Sequence, residues 1–419
     1  MKSDDLSDIV ITGMGITSAI GQGKSDFSRA LLAGQHNFAV MQRPGRQFPL
    51  STNIDADQHS PFLGAEIAAL CIPDSIAKRV IRSASLSAQA ALVTLNEAWH
   101  DANLDEVDPE RIGLIIGGSN VQQRELTQTQ ANYQDRIQFL RPDYALSFMD
   151  SDLCGLCTQQ FGIKGFAYTV GGASASGQMA ILQAIAAVQS GQVDSCIAMG
   201  ALMDLSYWEC QGFRALGAMG SSRFAQQPAQ ACRPFDQARD GFIYGESCGV
   251  VVIEKAPART RAKKPYARLT GMASGMDGNR NPNPSLEGEI KVIQAALQQA
   301  KLTSADIDYI NPHGSGSVIG DKTELAALGH CQLNHAYINA TKSLTGHGLS
   351  AAGIVEVIAT VLQMNAGQLH PNRNLDEPMA ADYNWVPSTA LSHNINNALS
   401  LSFGFGGINT ALCIQNISP

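Results

Sequence analysis

Short runs of β-branched and other apolar residues recur along the chain, separated by longer stretches with helical character. Ile9–Thr12, Ile112–Ile116, Ala167–Val170, Cys196–Met199 and Val250–Ile253 have the continuous apolar content of strands covered on both faces. Between them, Met179–Val188 (MAILQAIAAV) is apolar all round, which predicts a central helix enclosed by protein. The pattern breaks at Ala256–Pro265 (APARTRAKKP), where proline and positive charge replace any apolar period. Arg259, Arg261, Lys263 and Lys264 there read as a solvated linker. Beyond it the rhythm returns, with strands near Ile307–Ile310, Ala336–Ala340 and Leu399–Ser402 and a helix over Ser350–Met364. The pattern predicts an α/β protein in two similar halves, 1–256 and 257–419, with residues 118–165 as an inserted cap. No apolar run approaches the roughly 20 residues that span a bilayer.

Composition narrows the function classes. The chain has 419 residues, 44% hydrophobic and 16% charged, which suits a large packed core. Its net charge of −8 gives no general attraction for nucleic acid or an anionic membrane. Nine scattered cysteines do not form a secreted disulfide framework. The acidic start MKSDDLSD lacks the basic and apolar regions of an export signal, so a cytoplasmic location is expected.

Four loops carry candidate chemistry. Thr169–Gly177 (TVGGASASG) turns from a strand into the buried helix and presents Ser174 near the helix amino terminus, where N–H groups favour negative charge. Local sequence alone leaves a tight turn with Ser174 or Ser176 as helix cap as open as a catalytic role for Ser174. Asn311–Ser317 (NPHGSGS) and Thr341–His347 (TKSLTGH) place His313 and His347 beyond the carboxyl ends of strands, where open α/β sheets assemble their sites. His36, His59, His100, His330, His335, His370 and His393 lack such settings and read as structural. Leu401–Asn409 (LSFGFGGIN) is open to two readings, a glycine-rich turn and nothing more, or a backbone N–H aimed at an oxyanion with the phenylalanines Phe403 and Phe405 gating a pocket. Cys154 and Cys157 form a C-x-x-C pair with no second pair at metal-ligand spacing, so they too read as structural and no metal is expected.

Together these segments resemble the β-ketoacyl-acyl-carrier-protein synthases. The likeness runs from Val10–Gly15 (VITGMG) through Arg233–Asp236 (RPFD), Arg239–Phe242 and Gly245-Glu246. It continues through the two histidine loops, Gly320-Asp321, Ala351–Gly353 and Ser402–Gly407. The resemblance implies a thiolase-like duplicated five-layered α-β-α-β-α fold, a homodimer and a pantetheine tunnel. Ser174 stands where the family has its acyl-accepting cysteine, and His313, His347 and Lys342 match the active-site histidines and lysine. Glu356 matches a glutamate on the following helix. Ser315 and Ser317 replace threonines that bind the pantetheine arm, and Phe405 supplies an oxyanion-hole N–H and a gate. Beyond the phosphopantetheine arm of an acyl carrier protein, no cofactor is implied.

The serine separates two halves of the family's chemistry. A thiol is partly ionised near neutral pH, whereas a serine needs a placed base to become nucleophilic. Decarboxylation instead needs N–H donors for the developing enolate, and both histidines are present. The chain resembles the cysteine-to-serine decarboxylases of polyketide β-branching cassettes, which implies conversion of malonyl-acyl carrier protein to acetyl-acyl carrier protein and carbon dioxide. A condensing synthase or acyltransferase using Ser174 as nucleophile remains open, as does a non-catalytic partner subunit like a chain-length factor.

Overall fold

The computed structural model describes residues 6, 8–49, 60–220, 222–256, 264–280 and 282–417. The junction expected near 256 falls largely at 257–263, outside the described residues, as does His59.

Two sets of five strands share one order of elements. The first set is β1 (Ile9–Ser18), β2 (Ile112–Gly117), β3 (Phe166–Val170), β4 (Ser195–Gly200) and β5 (Ser247–Lys255). The second is β6 (Ala267–Met276), β7 (Tyr309–Asn311), β8 (Tyr337–Ile338), β9 (Asn397–Gly404) and β10 (Ile408–Gln415). Helices α1 (Leu86–Asp101), α2 (Ser151–Phe161) and α3 (Ser176–Gln189) occupy the connections of the first set. Helices α4 (Leu286–Ala300), α5 (Val318–His330) and α6 (Ala352–Ala366) do so in the second. Spatially the strands run β1-β5-β4-β2-β3 and β6-β10-β9-β7-β8, and in each set two antiparallel pairings precede two parallel ones. Short pairing of Val10 with Arg268 and Ile11 with Ala267 joins them.

Alternation along the strands builds the layers. In β5, Val251 and Ile253 face a central apolar cluster while Cys248, Val250 and Val252 face an outer one. In β10, Leu412 and Ile414 face the centre and Ala411 and Cys413 the opposite outer cluster. With side chains alternating across a strand, α3 and α6 lie between the sheets and α1, α2, α4 and α5 cover the outside. These are the five layers expected from the resemblance.

Three expectations change. The first strand runs on through Gly13 and Gly15 to Ser18, because a side chain at either glycine would collide with the backbone of α1 at Ala98 or Thr94. Of the stretch 118–165, α2 packs on the first sheet through Leu153, Cys154 and Cys157, so the added segment narrows to 118–150. Leu349–Ala366 has the length and composition of a membrane span, against the reading that no run came near one. Its apolar faces are buried against both sheets as a core helix.

The central helices meet backbone to backbone. A Cβ on Gly177 of α3 would lie 2.8 Å from the Ser350 carbonyl, and one on Gly353 of α6 would lie 2.9 Å from the Gln178 nitrogen. Helix propensity alone favours alanine over glycine by about 1 kcal/mol, while overpacking a tight core costs about 1–3 kcal/mol. Gly353→Ala is therefore expected to lower the melting temperature. A thermal melt with unchanged or raised Tm contradicts the close approach.

Candidate active site

The turn from β3 into α3 is braced by Ser176 and not by Ser174. Ser176 Oγ accepts the Gly172 N–H at 2.9 Å and donates to the Ala173 carbonyl at 2.7 Å. Ser402 Oγ, from β9, donates to the Ser174 carbonyl at 3.2 Å. Ala173 is held at a φ of 47°, a left-handed conformation that costs a non-glycine residue about 1–3 kcal/mol. The strained turn leaves Ser174 Oγ free of capping duty and 2.9 Å from His347 Nε2.

Buried acids position the first histidine. Glu324 on α5 accepts the N–H groups of His313 at 2.6 Å and Gly314 at 2.8 Å, one on each oxygen. Asp321, one turn earlier, accepts those of Phe235 at 2.7 Å and Gly316 at 3.0 Å. Burial pushes the Glu324 carboxyl up to about 8 and that of Asp321 up to about 6. Lys342 Nζ bonds to Glu356 on α6 and to the His313 carbonyl. Burial raises the Glu356 carboxyl to about 7 against the pull of Lys342.

The imidazoles stand nearly perpendicular, their centroids 5.5 Å apart. The Phe242 edge packs against His347 and Phe403 against His313. Burial, followed by the charge of Lys342, holds both imidazoles well below the usual histidine range, so both are neutral near pH 7. A neutral imidazole has one N–H, and its partners determine which nitrogen carries it. The Leu349 N–H donates to His347 Nδ1 at 3.3 Å, which places the His347 proton on Nε2. His347 therefore donates to Ser174 Oγ. In this state it is a hydrogen-bond donor and not a base.

A cavity of about 350 Å³ brings together Ser174, His313, His347, Ser315, Ser317, Phe403 and Phe405. Lys342 and Glu356 lie behind the histidine loops. Ser317 also caps α5 by accepting the Gly320 N–H at 3.3 Å, and Ser315 accepts the Ser317 N–H at 3.3 Å. Phe405, 40% exposed, lies beside Phe213 at the cavity wall. Cys154 and Cys157 are buried on α2, away from these residues, and burial raises both thiols. Sequence reasoning missed Glu324, though an acid one turn after Asp321 on the helix following a histidine loop is a usable signal. It also missed Glu289, which lines the same cavity and looks in sequence like a solvated acid in a first helical turn.

Comparison with known proteins agrees with this architecture. Residues 6–258 match the model of the beta-ketoacyl synthase N-terminal domain, and residues 266–376 match that of the C-terminal domain. The chain is 61% identical over 418 residues to the polyketide biosynthesis malonyl-ACP decarboxylase PksF of Bacillus subtilis, covering 100% of this chain and 98% of that protein. It is 31% identical to 3-oxoacyl-[acyl-carrier-protein] synthase 2 of Staphylococcus aureus, covering 97% and 98%. A crystal structure of a beta-ketoacyl synthase from Burkholderia phymatum superimposes with a TM-score of 0.86 at 26% identity, covering 98% of this chain and 100% of that one. With the duplicated sheets and the paired histidine loops, these matches establish that the chain belongs to the beta-ketoacyl synthase family.

Proposed function

We propose that the protein decarboxylates malonyl-acyl carrier protein to acetyl-acyl carrier protein and carbon dioxide in polyketide biosynthesis. The observation that carries this is the His347 tautomer, which offers Ser174 a donor and no base. A serine hydroxyl without a base is a poor acyl acceptor. Two neutral N–H donors suit the other half of the chemistry. As the bond to the carboxylate breaks, charge collects on the thioester oxygen, and donors on imidazoles held by buried side chains stabilise it without reorganising. The carbon left behind then takes a proton. Full-length identity to a protein named as a malonyl-ACP decarboxylase supports the same assignment.

The reading has Ser315 and Ser317 contact the pantetheine arm, Phe405 gate it, and Lys342 with Glu356 hold the His313 loop. It places the protein in the cytoplasm, with no metal and no cofactor beyond the carrier's phosphopantetheine. A homodimer agrees with the outer edge of β3, unpaired among the described residues, which exposes Tyr168. It also agrees with Ile137, Phe139, Leu146 and Phe148 exposed nearby in the added segment, since uncovered edges and apolar patches invite a second copy.

Incubation with malonyl-acyl carrier protein is expected to yield acetyl-acyl carrier protein, with the enzyme mass unchanged. A stable adduct on Ser174 in the mass spectrum transfers the assignment to an acyltransferase. Removing an oxyanion donor costs about 100- to 1,000-fold, so His313→Ala is expected to lose that much turnover while Ser174→Ala loses less than about tenfold. Equal losses in the two variants contradict the division of roles.

The depressed histidines fix a pH dependence. Their imidazoles take up a proton only well below 6.5, so kcat is expected to show no histidine inflection between about pH 6 and 8, where an unperturbed imidazole titrates. A His313 or His347 ring resonance that titrates near 6.5 counts against the neutral pair, whereas a fall in rate there also follows from the Asp321 and Glu356 carboxyls, raised to about 6 and about 7.

A further inference from the structure

Glu289 lies in the first turn of α4, is 1% exposed, and borders the cavity that holds Ser174, His313 and His347. Its Oε2 has no hydrogen-bond partner among the described residues. A buried carboxyl with an unpartnered oxygen loses stability that an apolar residue would retain, so its presence in the wall of the cavity that holds the reacting groups calls for a chemical explanation. Burial, with the negative charges of Glu324 and Asp277, pushes its carboxyl up to about 10. At neutral pH it carries a proton.

We propose that the Glu289 carboxyl is the acid that protonates the carbon left by decarboxylation. The inference rests on the malonyl reading above. The bond between the methylene carbon and the carboxylate breaks, carbon dioxide leaves, and the electron pair becomes a thioester enolate held by the histidine N–H groups. The Glu289 O–H bond then breaks as a C–H bond forms at the methylene carbon, giving the acetyl thioester. Glu289 is left as carboxylate, and water returns its proton.

The other acids and donors of the site are committed elsewhere. Both oxygens of Glu324 accept backbone N–H groups. Lys342 is bound to Glu356 and the His313 carbonyl, and the single His347 N–H, bonded to Ser174 Oγ before substrate enters, is the one that turns to the enolate oxygen. Asp277 accepts the Asn409 amide at 2.6 Å. Glu289 alone among these combines a wall of the cavity with an oxygen that nothing holds. In a condensing enzyme such an acid would quench the carbanion before it attacked an acyl group. In a decarboxylase it completes the turnover.

The test compares wild type, Glu289→Gln and Glu289→Ala on malonyl-acyl carrier protein. Because the folded carboxyl is raised, the folded chain retains a proton that the unfolded chain releases, and this lowers stability as pH climbs from the unfolded value toward about 10. Glu289→Gln removes that penalty, so its Tm at pH 8 is expected to equal or exceed wild type. A positioned acid contributes at least about 100-fold, so kcat of the glutamine variant is expected to fall by that factor with KM unchanged. In folded Glu289→Ala, added imidazolium or ammonium, small acids that keep a proton near neutral pH where a free carboxyl does not, is expected to restore turnover, a response that a purely structural role does not give. Wild-type turnover by Glu289→Gln, or a folded Glu289→Ala that ignores added acid, overturns the proton-donor role alone. A wild-type protein that releases no carbon dioxide overturns both this role and the decarboxylase reading.

Discussion

The site depends on the contact between α3 and α6, which approach until the backbone of one stands where the other's side chains would be. Glycine at 177 and 353 permits this. Ser174 lies just before Gly177 and His347 shortly before Gly353, so the helix crossing sets the distance between their loops. A single methyl group at the crossing would separate the helices, and a 2.9 Å hydrogen bond does not survive a shift of that size. The duplication has the same consequence at larger scale. Each half contributes one strand-to-helix loop at the end of its central helix, and stacking the halves places those loops face to face.

A second constraint is that the surroundings are dry. Glu324, Asp321, Lys342, Glu356, Glu289 and His347 are all nearly inaccessible to solvent. In such a medium an electrostatic interaction is strong when satisfied and costly when not. Glu324 and Asp321 are each satisfied by two backbone N–H groups, which makes them rigid clamps on the His313 loop and on Phe235. Lys342 bonds one oxygen of Glu356 and the His313 carbonyl, and removing one member of this pair would leave a buried charge at a cost of about 3–5 kcal/mol. The same dryness that stiffens this scaffold keeps the imidazoles neutral and Glu289 protonated.

Much of this was legible in sequence, for identifiable reasons. Buried strands such as Ile112–Gly117 and the enclosed helices α3 and α6 appear as apolar runs because nothing on either side of them is solvent. The histidine loops were visible because His313 and His347 follow strands in glycine- and hydroxyl-rich turns. Ser174 and Ser176 were indistinguishable, since either hydroxyl suits a cap, and only the bonds from Ser176 to Gly172 and Ala173 separate them. Glu289 was hidden by its position, because an acid in a first helical turn is favoured by the helix dipole on any surface. Its burial comes from α4 lying over the cavity, a tertiary fact that no local pattern carries.

The exchange of cysteine for serine gains its meaning from one backbone N–H. To act as a base toward Ser174, His347 would have to move its proton to Nδ1, and the Leu349 N–H would then face a donor instead of an acceptor. Leaving a buried N–H without a partner costs about 1–3 kcal/mol, and Leu349 is already held at a strained φ of 51°, so the loop has little room to adjust. A cysteine at this position needs no such rearrangement, because a thiol ionises far more readily than a hydroxyl. The tautomer that serves enolate stabilisation is therefore compatible with a thiol nucleophile and incompatible with a hydroxyl one. Serine at 174 leaves acyl transfer without a base at His347 Nε2 and keeps both imidazoles of the site in place.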